Sequence, residues 1–115
     1  MKDSVDLDAL DRECALAQGW RVSPVLGWVS PDGKDHGDNP PSPTRNPADF
    51  LALLQWCVGQ DLYPSVHLSR RGNEWEGALR VKGGRKAVTK ERAHSPLVAF
   101  SLAVAEHVKR KKGAK

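Results

Sequence analysis

The chain has no apolar stretch long enough to cross a bilayer. Its longest apolar run lies within Leu97–Val104 and is interrupted by Ser101, far short of the ~20 residues a spanning helix needs. Met1-Lys2-Asp3-Ser4-Val5-Asp6 lacks the apolar core of a secretory signal. A cytoplasmic protein with no membrane partner is therefore expected. Cysteine is scarce. Cys14 and Cys57 have no CxxC spacing, and both fall on apolar faces of expected helices, so they read as buried thiols rather than a disulfide or zinc pair. Catalytic signatures are also missing. His36, His67, His94 and His107 sit in no GxSxG, HExxH or zinc-deaminase pattern. Gly83-Gly84-Arg85-Lys86 lacks P-loop spacing and reads as a hairpin turn. The carboxylates of Asp32–Asn39 miss the calcium-loop ligand positions, because Lys34 and His36 stand where oxygen donors are required. We expect no catalytic residues, no metal and no cofactor, and so a protein that is not an enzyme.

What is present is one ordinary globular domain. A length of 115 residues, 39% hydrophobic and 28% charged, supports a single core and is unlike a disordered chain. The net charge of +4 conceals a division. Up to Asp61 the chain carries 10 acidic and 5 basic residues, and from Leu62 onward 4 acidic and 13 basic, so its halves stand at −5 and +9. An acidic front and a basic back suit nucleic acid, a charged protein or a second copy of the chain as partner.

The clearest pattern runs from Trp75 to Val108. Trp75, Gly77, Leu79 and Val81 alternate with Glu76, Ala78, Arg80 and Lys82, as in a strand with one buried face. Gly83-Gly84 turns into a returning strand, and Ser95-Pro96 opens a helix. Upstream, Ser4–Gln18 reads as a helix ended by Gly19, and Trp20–Ser30 as a hairpin. Asp32–Pro47, with three Asp, two Gly and four Pro, reads as a long exposed loop. Asn46 caps a second helix that Gly59 ends. Tyr63–Arg70 is a strand, with Val66 and Leu68 facing in, that Pro64 places near an edge. The order α-β-β-α-β-β-β-α predicts an α+β fold, a small antiparallel sheet of four to five strands packed with three helices. The domain is expected over residues 1–108, followed by a basic flexible tail over 109–115.

Gly19-Trp20, Trp28-Val29-Ser30-Pro31-Asp32-Gly33, Pro40-Pro41-Ser42-Pro43-Thr44 leading into Asn46-Pro47-Ala48, and Ala93-His94-Ser95-Pro96-Leu97-Val98-Ala99 before an Ala-rich helix occur in that order. Together they resemble the phage ABA sandwich domain family of small phage and prophage proteins. The resemblance spans roughly Leu7 to Val108. It implies an α/β/α-like fold, a phage or prophage origin in a bacterial host cell, and no catalytic residues.

Two surfaces are candidates for function. Trp20, Trp28 and Trp56, with Arg70 and Arg71, are candidate anchors for a protein partner. Arg80, Lys82, Arg85, Lys86, Lys90 and Arg92 on the second hairpin, with Lys109, Arg110, Lys111 and Lys112 in the tail, are candidates for phosphate contacts. The expected function is that of a non-enzymatic phage accessory protein binding a host protein, in the manner of an anti-defence inhibitor. The alternative is nucleic-acid binding through the basic hairpin and tail.

Overall fold

A computed structural model describes residues 6–68, 74–81 and 87–113. Helix α1 (Leu7–Ala17) starts three residues later than Ser4, because Asp6 is its N-cap: an extended backbone, with its carboxylate accepting from Ala9 N. It ends in a Schellman motif. Gly19 at φ 95° lets Trp20 N donate to Ala15 O (3.0 Å) and Gly19 N to Leu16 O (3.1 Å), satisfying carbonyls that the helix leaves open. The chain then forms β1 (Arg21–Ser23) and β2 (Gly27–Val29), the expected hairpin.

The stretch expected as a loop is more structured. Ser30 N donates to Lys34 O at 2.9 Å across the Pro31-Asp32-Gly33 turn, returning the chain as β3 (Asp35–Gly37) against β2. A Cβ on Gly27 would come within 2.3 Å of Gly37 O, so this pairing requires glycine. Further on, Pro43 and Thr44 are buried. Asp11 of α1, itself 3% exposed, accepts from Ser42 Oγ (2.7 Å) and Thr44 N (3.1 Å). Asp49 accepts from Ser42 N at 2.8 Å.

Helix α2 (Pro47–Gly59) is capped by Asn46, whose side chain accepts from Ala48 N. Gly59 is its last helical residue. The left-handed position beyond it is taken by Asp61, at φ 62°. Strands β4 (Leu62–Leu68), β5 (Trp75–Val81) and β6 (Thr89–Ala93) form an antiparallel sheet in the order β4-β5-β6. The described strands thus make two three-stranded sheets, not one of four to five. The early Pro31-Asp32-Gly33 turn supplies a third strand to the first hairpin, which forms a sheet of its own. Pro64 lies in edge strand β4, as expected. That strand begins one residue before Tyr63, the expected residues 69 and 70 lie outside the described residues, and Leu68 is 55% exposed rather than packed inward.

Helix α3 (Pro96–Gly113) lies across β5 and β6. Ser95 Oγ accepts from Leu97 N and Val98 N, as its capping role predicts. Leu10 and Cys14 of α1, Leu53 and Cys57 of α2, Leu62 and Leu79 of the sheet, and Phe100, Ala103 and Val104 of α3 form one core. The helices therefore pack on a single face of the β4-β5-β6 sheet. The layering is helices on sheet, not helices on both faces as an α/β/α sandwich implies. The expected tail is helical through Gly113. Arg110 fastens the last turns, with Nε 3.0 Å from Glu106 Oε2 and NH1 donating to Val88 O at 2.8 Å.

Candidate functional site

Between the C-terminal halves of α1 and α3, the end of α2 and the rim of the β4-β5-β6 sheet lies a groove of about 1310 Å³. Its floor is apolar: Leu16 and Ala17 from α1, Trp56 from α2, Leu62 and Val81 from the sheet, and Val108 from α3. Leu16 and Val81 remain 53% and 42% exposed, so the groove holds uncovered apolar surface. The last turns of α3 supply His107, Val108, Lys109, Arg110 and Lys111 to one wall. Glu13 and Asp61 stand on the other walls. The groove is therefore basic along α3 and acidic opposite. Burial, then the Lys111 and Arg110 charges, hold His107 below the usual imidazole range.

Among the described residues, Trp56 is the one expected protein anchor that lines this groove. Trp28 is 9% exposed and belongs to the buried core of its sheet, so it presents no anchor. Trp20 is half-buried and packs against His36 with the rings tilted at 60° and their centroids 4.7 Å apart. Arg70 and Arg71 lie outside the described residues.

The expected basic surface divides in two. Lys109, Arg110 and Lys111 line the groove on the helix-covered side. Arg80, Lys90 and Arg92 are exposed on the opposite face of the β4-β5-β6 sheet, placed there by strand alternation. Helix α3 packs on the inner face and separates the two groups. Lys82, Arg85 and Lys86, and the Lys112 side chain, lie outside the described residues.

The open face also shows what the period-2 pattern concealed. Glu76 is only 8% exposed although it points away from the helices. It is enclosed by its cross-strand neighbours, His67 with Nε2 2.9 Å from Oε1 and Arg92 with Nε 3.4 Å from Oε2. Register places Tyr63 opposite Arg80, and Ser65 and Lys90 on either side of Ala78. The pairing could be found in the sequence only once strand register was known.

Elsewhere the acidic turn is occupied by its own backbone. Ser30 Oγ donates to Asp32 Oδ1, and Gly37 N donates to Asp35 Oδ1 at 2.8 Å. Among the described residues no group of three or more His, Cys, Asp or Glu side chains is placed to hold a metal ion. No described helix is long and apolar enough to cross a membrane. Comparison with protein-family models, curated proteins and solved structures finds no match.

Proposed function

We propose that the protein acts by binding, without catalysis of its own, and that it takes a segment of a partner protein into the groove beneath α3. The observation that carries this reading is the meeting of Trp56, the exposed apolar side chains of Leu16 and Val81, and the cationic last turns of α3 around one groove of about 1310 Å³. That volume exceeds the roughly 300–1,000 Å³ of small-molecule pockets. A tryptophan beside cations is the composition of an interface anchor. The segment that fits is apolar along its contact stripe and acidic where it meets Lys109 and Lys111. The resemblance to the phage ABA sandwich domain family supports reading it as a phage or prophage accessory protein whose partner is a host protein, one of the host defences in particular.

Capture from a bacterial lysate on the immobilised chain tests this. Leu16→Glu with Lys111→Glu changes two exposed groove residues, and Trp56→Ala changes the anchor. Recovery of a protein partner that falls at least tenfold for both variants is expected. Equal recovery by the variants, or none by the parent chain, would overturn the groove as the docking place.

A further inference from the structure

We infer that the open face of the β4-β5-β6 sheet is a second site, independent of the groove, for single-stranded nucleic acid. Three rows of side chains cross this face. Tyr63 and Arg80 form the first, Ser65, Ala78 and Lys90 the second, and His67, Glu76 and Arg92 the third. Successive rows on one face stand two residues apart, about 7 Å. In the middle row Ser65 is exposed, Ala78 is only 5% exposed and covered by the longer side chains around it, and Lys90 stands beside it on β6.

The chemistry of the face suits a phosphate backbone with bases. Tyr63, 50% exposed, offers a ring on which a base can stack. Arg80, Lys90 and Arg92 are all exposed and give the face positive charge. Glu76, the acid within these three rows, is engaged by His67 at 2.9 Å and Arg92 at 3.4 Å, so its repulsion of phosphate is offset locally. The exposed Tyr63 ring stacks unpaired bases, which a duplex keeps inside its own stack, so the face favours a single strand.

Fluorescence anisotropy of labelled dT12, U12 and a 12-base-pair duplex, titrated with the full chain from 20 to 200 mM NaCl, tests the assignment. Single strands are expected to bind, with log K falling against log salt at a slope of about −1.4 for Arg80 and Lys90, the two cations not paired with Glu76. Arg80→Glu with Lys90→Glu leaves the Glu76 contacts in place and should weaken binding at least tenfold. Tyr63→Ala should weaken it severalfold, and Lys109→Glu with Lys111→Glu in the groove should leave it within twofold. Circular dichroism confirms that each variant is folded. Absence of binding at 20 mM salt, binding unchanged in the Arg80/Lys90 variant, or binding abolished by the groove variant would overturn the site. Duplex binding as tight as single-strand binding would overturn the single-strand assignment.

Discussion

Gly77 of β5 lies directly under the backbone of Phe100 in α3: a Cβ at Gly77 would stand 2.6 Å from Phe100 N and Cα. Main chain, not the end of a flexible side chain, blocks that space. Helix and sheet approach this closely because one residue of the strand has no side chain, and Ala99 and Ala103 extend the close contact along α3. Gly77→Ala is therefore expected to destabilise the fold by about 2 to 3 kcal/mol, since α3 must lift from the sheet. Urea denaturation would register the loss as a lower midpoint.

Asp11 ties residues distant in the chain to α1. Its two oxygens accept from Ser42 Oγ and Thr44 N, and Arg45 stands 4.0 Å away. Asp11→Ala leaves a buried amide without its acceptor and should cost about 2 kcal/mol. Asp11→Asn keeps an oxygen for Thr44 N and should cost less. Denaturation curves of the two variants, with hydrogen exchange at the Thr44 amide, would separate these effects.

Ser101 is fully buried on α3, and its hydroxyl has no partner among the described residues. Removing a buried, unpaired hydroxyl without opening a cavity is favourable. Ser101→Ala should raise stability by about 1 kcal/mol, read as an increase in melting temperature.

Both thiols are protected by the core. Burial, then the charges of Asp11 and Glu13, push Cys14 from 9.0 up to about 12, and burial alone pushes Cys57 to about 12. The fold holds the protonated thiols more tightly than the unfolded chain does. Stability should be unaffected below pH 9.0 and fall as the pH rises from there towards 12. At pH 8 a thiol reagent should modify neither cysteine until denaturant unfolds the chain.

His107 carries the opposite dependence. Its folded value lies below the ordinary 6.5, through burial first and then Lys111 and Arg110. The unfolded chain takes up the proton more readily, so this contribution is present above pH 6.5 and is lost as the pH falls through the folded value. Denaturation midpoints at pH 7 and pH 5 should differ more for the parent chain than for His107→Gln.

The parts of the fold legible in the sequence are those decided by a few adjacent residues. Asn46 and Ser95 cap helices, Gly19 ends one, and Pro64 occupies an edge, because each works through its own backbone or nearest amides. The third strand, Asp35–Gly37, was hidden among Asp, Gly and Pro residues whose composition signals a loop, and it exists because Gly27 admits the close approach of the Gly37 carbonyl. Asp11 could not be read as an anchor, since its partners stand 31 and 33 residues away. The same holds for the tryptophans: Trp28 and Trp56 are chemically alike, and only packing decides which is enclosed and which faces a groove. The +9 half of the chain suggested one basic surface, but strand alternation and the path of α3 place its cations on opposite sides of a sheet.

The position of Pro64 in β4 has a consequence for assembly. An edge strand with a proline in its middle lacks one of the amides that a neighbouring chain would need to continue the ladder. The opposite edge, β6, bears Lys90, Glu91 and Arg92 in succession, and a like strand laid against it would bring these charges together. Both margins of the sheet thus resist extension. Self-association through the β4-β5-β6 sheet would therefore proceed through side chains on its faces, its edges being poor templates for added strands and fibre-like growth.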